Sequence, residues 1–147
     1  MQRFFILRLD KDVRARVERE RTRLYQESGD SSFFTFEACI ILGPVQGPIP
    51  SYVPCPALPL EVGRARWEQG TLHCPIDGNA LAPIREACNT SWPTSGIYLG
   101  EANGESELEE LTIRYLNFAI LTVEKDGDLF RWHISQEIHL DSGRGQR

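Results

Sequence analysis

The amino-acid sequence predicts an α+β fold: a pseudo-symmetric, two-lobed sandwich with a sheet in each lobe. Three observations carry this. Two β-α-β runs of similar size lie on either side of residues 43–63, which hold six of the nine prolines. So many prolines exclude a helix or a central strand and leave an extended crossing. Two strand-like runs, residues 111–123 and 129–140, then bracket Asp126-Gly127, a dipeptide suited to the positive φ of a tight hairpin turn.

The hairpin organises the rest. With Asp126 and Gly127 as the turn residues, Lys125 pairs with Asp128 and Val123 with Phe130. Leu121 then faces Trp132, and Ala119 faces Ile134. One face is apolar throughout, and its burial fixes the register. The other face carries Thr122, Arg131, His133, Ser135, Glu137 and His139.

The remaining elements follow in chain order. Residues 3–9 include Phe4, Phe5, Ile6 and Leu7, an unbroken apolar run suited to a central strand. Asp10 offers an N-cap oxygen, and residues 11–27 place Val13, Val17 and Leu24 on one thin helical stripe. Gly29 ends that helix. Residues 33–42 read as a second strand, stopped at Gly43-Pro44. After the crossing, residues 64–74 read as one strand and Asp77-Gly78-Asn79 as a turn. Asn79 caps a short helix to about Cys88, with Leu81, Ile84 and Cys88 at helical spacing and Pro83 pointing to a later start. Residues 97–101 form a strand and 102–110 an acidic loop. Residues 1–140 are expected as a single domain, with a disordered tail at 141–147.

A length of 147 residues suffices for one core. The net charge is −5, so no global nucleic-acid footprint exists. The charge is uneven: residues 1–30 hold eight Arg/Lys against six Asp/Glu. Arg14–Glu18 and Arg16–Glu20 lie at i, i+4 and neutralise one another, so weak, salt-sensitive RNA binding is expected at most. No run approaches the ~20 apolar residues of a membrane span, and residues 4–7 are too short for a signal-peptide core. A cytoplasmic protein with no membrane association is expected. Cys39, Cys55, Cys74 and Cys88 form no Cys-x-x-Cys pair, and no metal-ligand spacing or nucleotide loop is present, so no metal or cofactor is expected. The four cysteines read as free buried thiols.

Phe118-Ala119-Ile120-Leu121, Asp126-Gly127 and Phe130-Arg131-Trp132 together resemble the closing hairpin of the 2H phosphoesterase superfamily, which includes RNA 2′-3′ cyclic phosphodiesterases, also known as 2′-5′ RNA ligases. Residues 36–43 resemble the strand that carries that family's first His-x-Thr/Ser motif, and Gly96-Ile97-Tyr98-Leu99-Gly100 resembles the second. The element order agrees over nearly the whole chain. The resemblance implies a cleft floored by Phe36, Ala38, Ile40, Gly96 and Tyr98.

It also exposes a departure. The family's chemistry needs two histidines, one as base and one as acid, each worth roughly 10²–10⁴ in rate. At the first motif this chain offers Phe36-Glu37-Ala38 or Ala38-Cys39-Ile40, and at the second Gly96-Ile97-Tyr98. Neither site has a His. The resemblance therefore implies a catalytically degenerate protein with a binding or interaction role, whose partner is a nucleotide, an RNA or a protein. A working phosphodiesterase would need His73 and His133 in a rearranged cleft, with Ser135 completing a literal His-x-Ser. A third reading is a scaffold or partner subunit that docks through Pro56-Ala57-Leu58-Pro59 in the crossing.

Overall fold

The computed structural model describes residues 1–127 and 129–141, and of Phe34, Tyr52, Leu129, His139 and Asp141 the backbone alone. Asp128, residues 142–147 and the orientation of the His139 side chain lie outside that description.

The chain forms α+β architecture around one mixed sheet. Strand β1 (Gln2–Leu9) leads into helix α1 (Lys11–Ser28), then a 3-10 turn (Ser31–Phe34) and β2 (Cys39–Pro44). The crossing contributes β3 (Tyr52–Pro54) and β4 (Leu60–Val62). Then come β5 (Arg66–Glu68), β6 (Thr71–Pro75), α2 (Gly78–Ala87) and β7 (Gly96–Gly100). The chain closes with β8 (Leu111–Ile113), β9 (Leu116–Asp126) and β10 (Leu129–Asp141). Eight strands run in the order β3-β10-β9-β1-β2-β7-β6-β5, and β4 pairs with β8 apart from them. The expected lobe sheets are thus joined: β2 meets β7 through the single pair Ile40–Ile97.

Alternation along the strands separates two cores. Phe5, Leu7, Ala38, Ile40, Leu42, Ile97, Leu99, Phe118 and Ile120 face the helices and pack with Val13, Val17, Leu24, Leu81 and Ile84. Ile6, Cys39, Ile41, Tyr98, Ala119, Leu121 and Val123 face the other way, where neither helix lies. That second side is the open face of the sheet.

Several local expectations hold. The Asp10 carboxylate accepts the Val13 amide at 2.9 Å, and Gly29 caps α1 at φ +74°. Others are corrected. Residues 31–34 turn rather than extend, because Asp30 accepts the Ser32 amide at 2.8 Å and competes with strand pairing. Residues 64–74 split into β5 and β6 at Gln69-Gly70, both at positive φ as a two-residue hairpin loop requires. The cap of α2 is Asp77, not Asn79, and Pro83 sits inside the helix. Residues 111–123 break between β8 and β9.

The closing hairpin is shifted by two residues. Trp132 lies opposite Val123, Ile134 opposite Leu121, and Lys125 opposite Phe130. An even shift preserves the faces, so Leu121 and Trp132 remain on one side. A bulge at Ser135 then reverses the alternation. It turns Ile138 into the helix-side core and carries Glu137 to the open face, where it accepts from Arg8 at 3.3 Å. Glu137 therefore leaves the polar set expected for the other face.

Candidate functional site

The open face is concave and rich in rings. A groove of about 420 Å³ is lined by Gln2 and Phe4 of β1, Ile41 and Pro44 of β2, Tyr98 of β7, Val123 of β9 and Phe130 of β10. Thr35, Phe36, Trp92 and Glu101 come from the intervening loops. Its volume falls in the range of small-molecule sites, about 300–1,000 Å³. Phe36 stacks on Tyr98 at 5.1 Å between centroids, and Phe4 meets Trp92 edge-to-face at 5.7 Å. Beside the groove, a shallower depression is lined by Glu18, Thr22, Phe36, Glu37 and Trp132.

The floor is held by the seam between β2 and β7. Arg21, fully buried, passes from α1 into that seam and donates to the Phe36 carbonyl at 2.6 Å and the Leu99 carbonyl at 3.1 Å. Its guanidinium carbon lies 5.9 Å from the Phe36 ring and 6.0 Å from the Tyr98 ring. Glu18 pairs with it at 3.3 Å. Burial pushes its pKa down, yet an arginine remains charged. Burial raises the Tyr98 hydroxyl above its ordinary range, and the nearby Glu101 carboxylate adds to this. Burial likewise raises the Cys39 thiol. Neither group can act as a base near neutral pH.

The sequence-derived site residues divide. Phe36 and Tyr98 line the groove together. Ala38 and Ile40 do not: both are 0% exposed on the helix side, and Cys39 and Ile41 take the open-face positions. The strand is buried on both faces, so no polar residue marked its register in the sequence. Gly96 is buried and has a backbone role, because a Cβ there would stand 2.1 Å from the Cys74 carbonyl oxygen. The further ring residues Phe4, Trp92 and Phe130, with Glu101, come from four separate elements and carry no shared motif.

His73 and His133 are not brought together. His73 lies on the open face beside Tyr98, its pairing partner across β6 and β7, and is 1% exposed. His133 lies opposite Thr122, on the helix side of the sheet, and is exposed. Five strand steps separate their strands, on the order of 20 Å. Ser135 is the bulge residue, and its hydroxyl is engaged by Thr122 at 3.0 Å and the Ile120 carbonyl at 3.3 Å. In the crossing, Pro56 is buried, while Ala57, Leu58 and Pro59 are exposed.

Arg14 and Arg23 of α1 are paired, though not through the expected Arg14–Glu18 and Arg16–Glu20 contacts. Arg14 meets Glu37 at 3.7 Å, and Arg23 meets Glu20 at 2.9 Å and Glu27 at 2.7 Å. All four cysteines are free, and Cys55 alone is partly accessible. Among the described residues, no group of three His, Cys, Asp or Glu could hold a metal ion, and no helix is long and apolar enough to cross a membrane.

No family model matches this sequence, and no curated protein matches it. One solved structure, TT0787 of Thermus thermophilus, is similar in fold. It superposes with a TM-score of 0.57 at 10% sequence identity, covering 94% of this chain and 97% of that one. At that identity the likeness extends to the fold: an α+β arrangement shared along almost the full length of both chains.

Proposed function

We propose that this protein is a catalytically degenerate relative of the 2H phosphoesterases, and that its open-face groove binds a small ligand without cleaving it. The observation that carries this reading is the identity of the open-face residues on the two seam strands. They are Cys39 and Ile41 on β2 and Tyr98 on β7. The 2H resemblance implies a histidine and a hydroxyl at such positions. Cys39 and Tyr98 hold their protons, and Ile41 has none to give. No lining residue is basic, so a bound phosphate would lose its hydration without gaining a charged donor.

The test incubates the purified protein with a nucleoside 2′,3′-cyclic phosphate, alongside His73→Ala and His133→Ala. The expected result is no turnover above a no-protein control. Turnover abolished by either substitution overturns the reading in favour of a rearranged catalytic site.

A further inference from the structure

We infer that the open-face groove takes a small organic cation, of the quaternary or tertiary alkylammonium class. This deepens the binding reading above and rests on it.

Five rings, from Phe4, Phe36, Trp92, Tyr98 and Phe130, line one groove. An aromatic face carries negative charge density and attracts a cation within ~6 Å of its centroid. The one charged side chain among the lining residues is Glu101, a carboxylate. It has no ion-pair partner among the described residues. The groove therefore combines π-faces with an uncompensated negative charge and offers no Arg, Lys or His to an anion.

Two side-chain cations already lie near three of these rings. Lys125 places its ammonium 5.9 Å from the Phe130 ring. Arg21 sits behind the Phe36–Tyr98 stack, buried, with its charge answered by Glu18. Neither is among the residues that line the cavity. A small hydrated metal ion would have to shed tightly held water against apolar rings. An alkylammonium is weakly hydrated and brings methyl groups to the same surface, so it suits rings and carboxylate at once. A neutral ring of similar size gains the apolar contacts and nothing from Glu101.

The experiment titrates the wild-type protein with choline, with its uncharged isostere 3,3-dimethyl-1-butanol, and with indole. Tryptophan fluorescence reports binding, since Trp92 lines the groove, and calorimetry replaces it for indole. Choline is expected to bind at least roughly tenfold more tightly than the isostere. Glu101 is exposed, so Glu101→Gln leaves the fold intact; it is expected to weaken choline about fivefold or more and leave the isostere unchanged. Equal affinities for choline and the isostere, or binding of indole alone, overturn the cation assignment while the binding groove stands. Failure of all three probes at millimolar concentration overturns both.

Discussion

Arg21 of α1 and Arg85 of α2 enter the same inter-strand seam from opposite ends. Arg21 bridges the Phe36 and Leu99 carbonyls on one side of the Ile40–Ile97 pair. Arg85 donates to the Ile41 carbonyl at 3.0 Å, the Leu42 carbonyl at 3.0 Å, the Thr94 carbonyl at 2.8 Å and the Ser95 hydroxyl at 2.7 Å on the other. Beyond the one ladder pair of β2 and β7, each helix supplies one guanidinium. The forked geometry of five donors suits this task, because one side chain reaches one strand and the segment that leads into the other. The two β-α-β halves are thus sewn together by side chains from their own helices.

Replacing either arginine should therefore loosen the sheet at its middle. Arg21→Met leaves the buried Leu99 carbonyl and the partly buried Phe36 carbonyl without donors and is expected to cost about 2–4 kcal/mol. Arg85→Met, at a half-buried site, is expected to cost about 1.5–3 kcal/mol. Lysine at either position should not restore stability, since an ammonium is a compact point charge without the fork. Urea unfolding midpoints measure this. A loss under ~0.5 kcal/mol for both methionine variants would show that the seam holds without them.

Much of this fold was legible in the sequence, and the seam was not. Asp10 and Gly29 announce the ends of α1 through their own local chemistry. The apolar face of the closing hairpin survives a two-residue error in register, because side chains alternate with period two. The bulge at Ser135 was not legible, because a bulge leaves no mark in an alternating pattern. Residues 38–42 are buried on both faces, so periodicity could not tell Ala38 and Ile40 from Cys39 and Ile41. Arg21 falls outside the apolar stripe of Val13, Val17 and Leu24; its burial follows from the carbonyls of Phe36 and Leu99, which only the tertiary fold brings near.

The acidic loop of residues 102–110 is strapped to α1 through Glu20. That carboxylate accepts from Arg23 Nε and Nη2, both at 2.9 Å, from the Ser106 hydroxyl at 2.7 Å, and from the Glu107 amide. Burial opposes its ionisation, but the donors outweigh burial and its pKa is lowered. Glu20→Gln should cost about 1.5–3 kcal/mol, as for a hydrogen bond to a charged group. It should also strip hydrogen-exchange protection from the Glu107 amide. Unchanged protection of that amide would mean the loop is held elsewhere.

His73 makes the pH dependence of stability testable. It is buried on the open face, and its Nδ1 finds no hydrogen-bond partner among the described residues. Burial pushes its pKa below the ordinary histidine value, while a Thr71 backbone interaction and Glu68, 3.7 Å from Nε2, pull it back in part. The unfolded chain regains a pKa of about 6.5 and so binds the proton more readily than the folded one. Stability from this group is complete above about pH 6.5 and falls as pH drops toward the depressed folded value. Below that value the penalty stays constant. Urea midpoints at pH 7.5 and 5.0 should therefore show the wild type losing stability, and His73→Leu losing less over the same interval. Working above pH 5 keeps Glu20 out of the comparison, because its lowered pKa makes its contribution disappear only in more acidic solution. Identical losses in the two proteins would mean that His73 is protonated as easily in the fold as out of it, and that the burial of its ring does not control its charge.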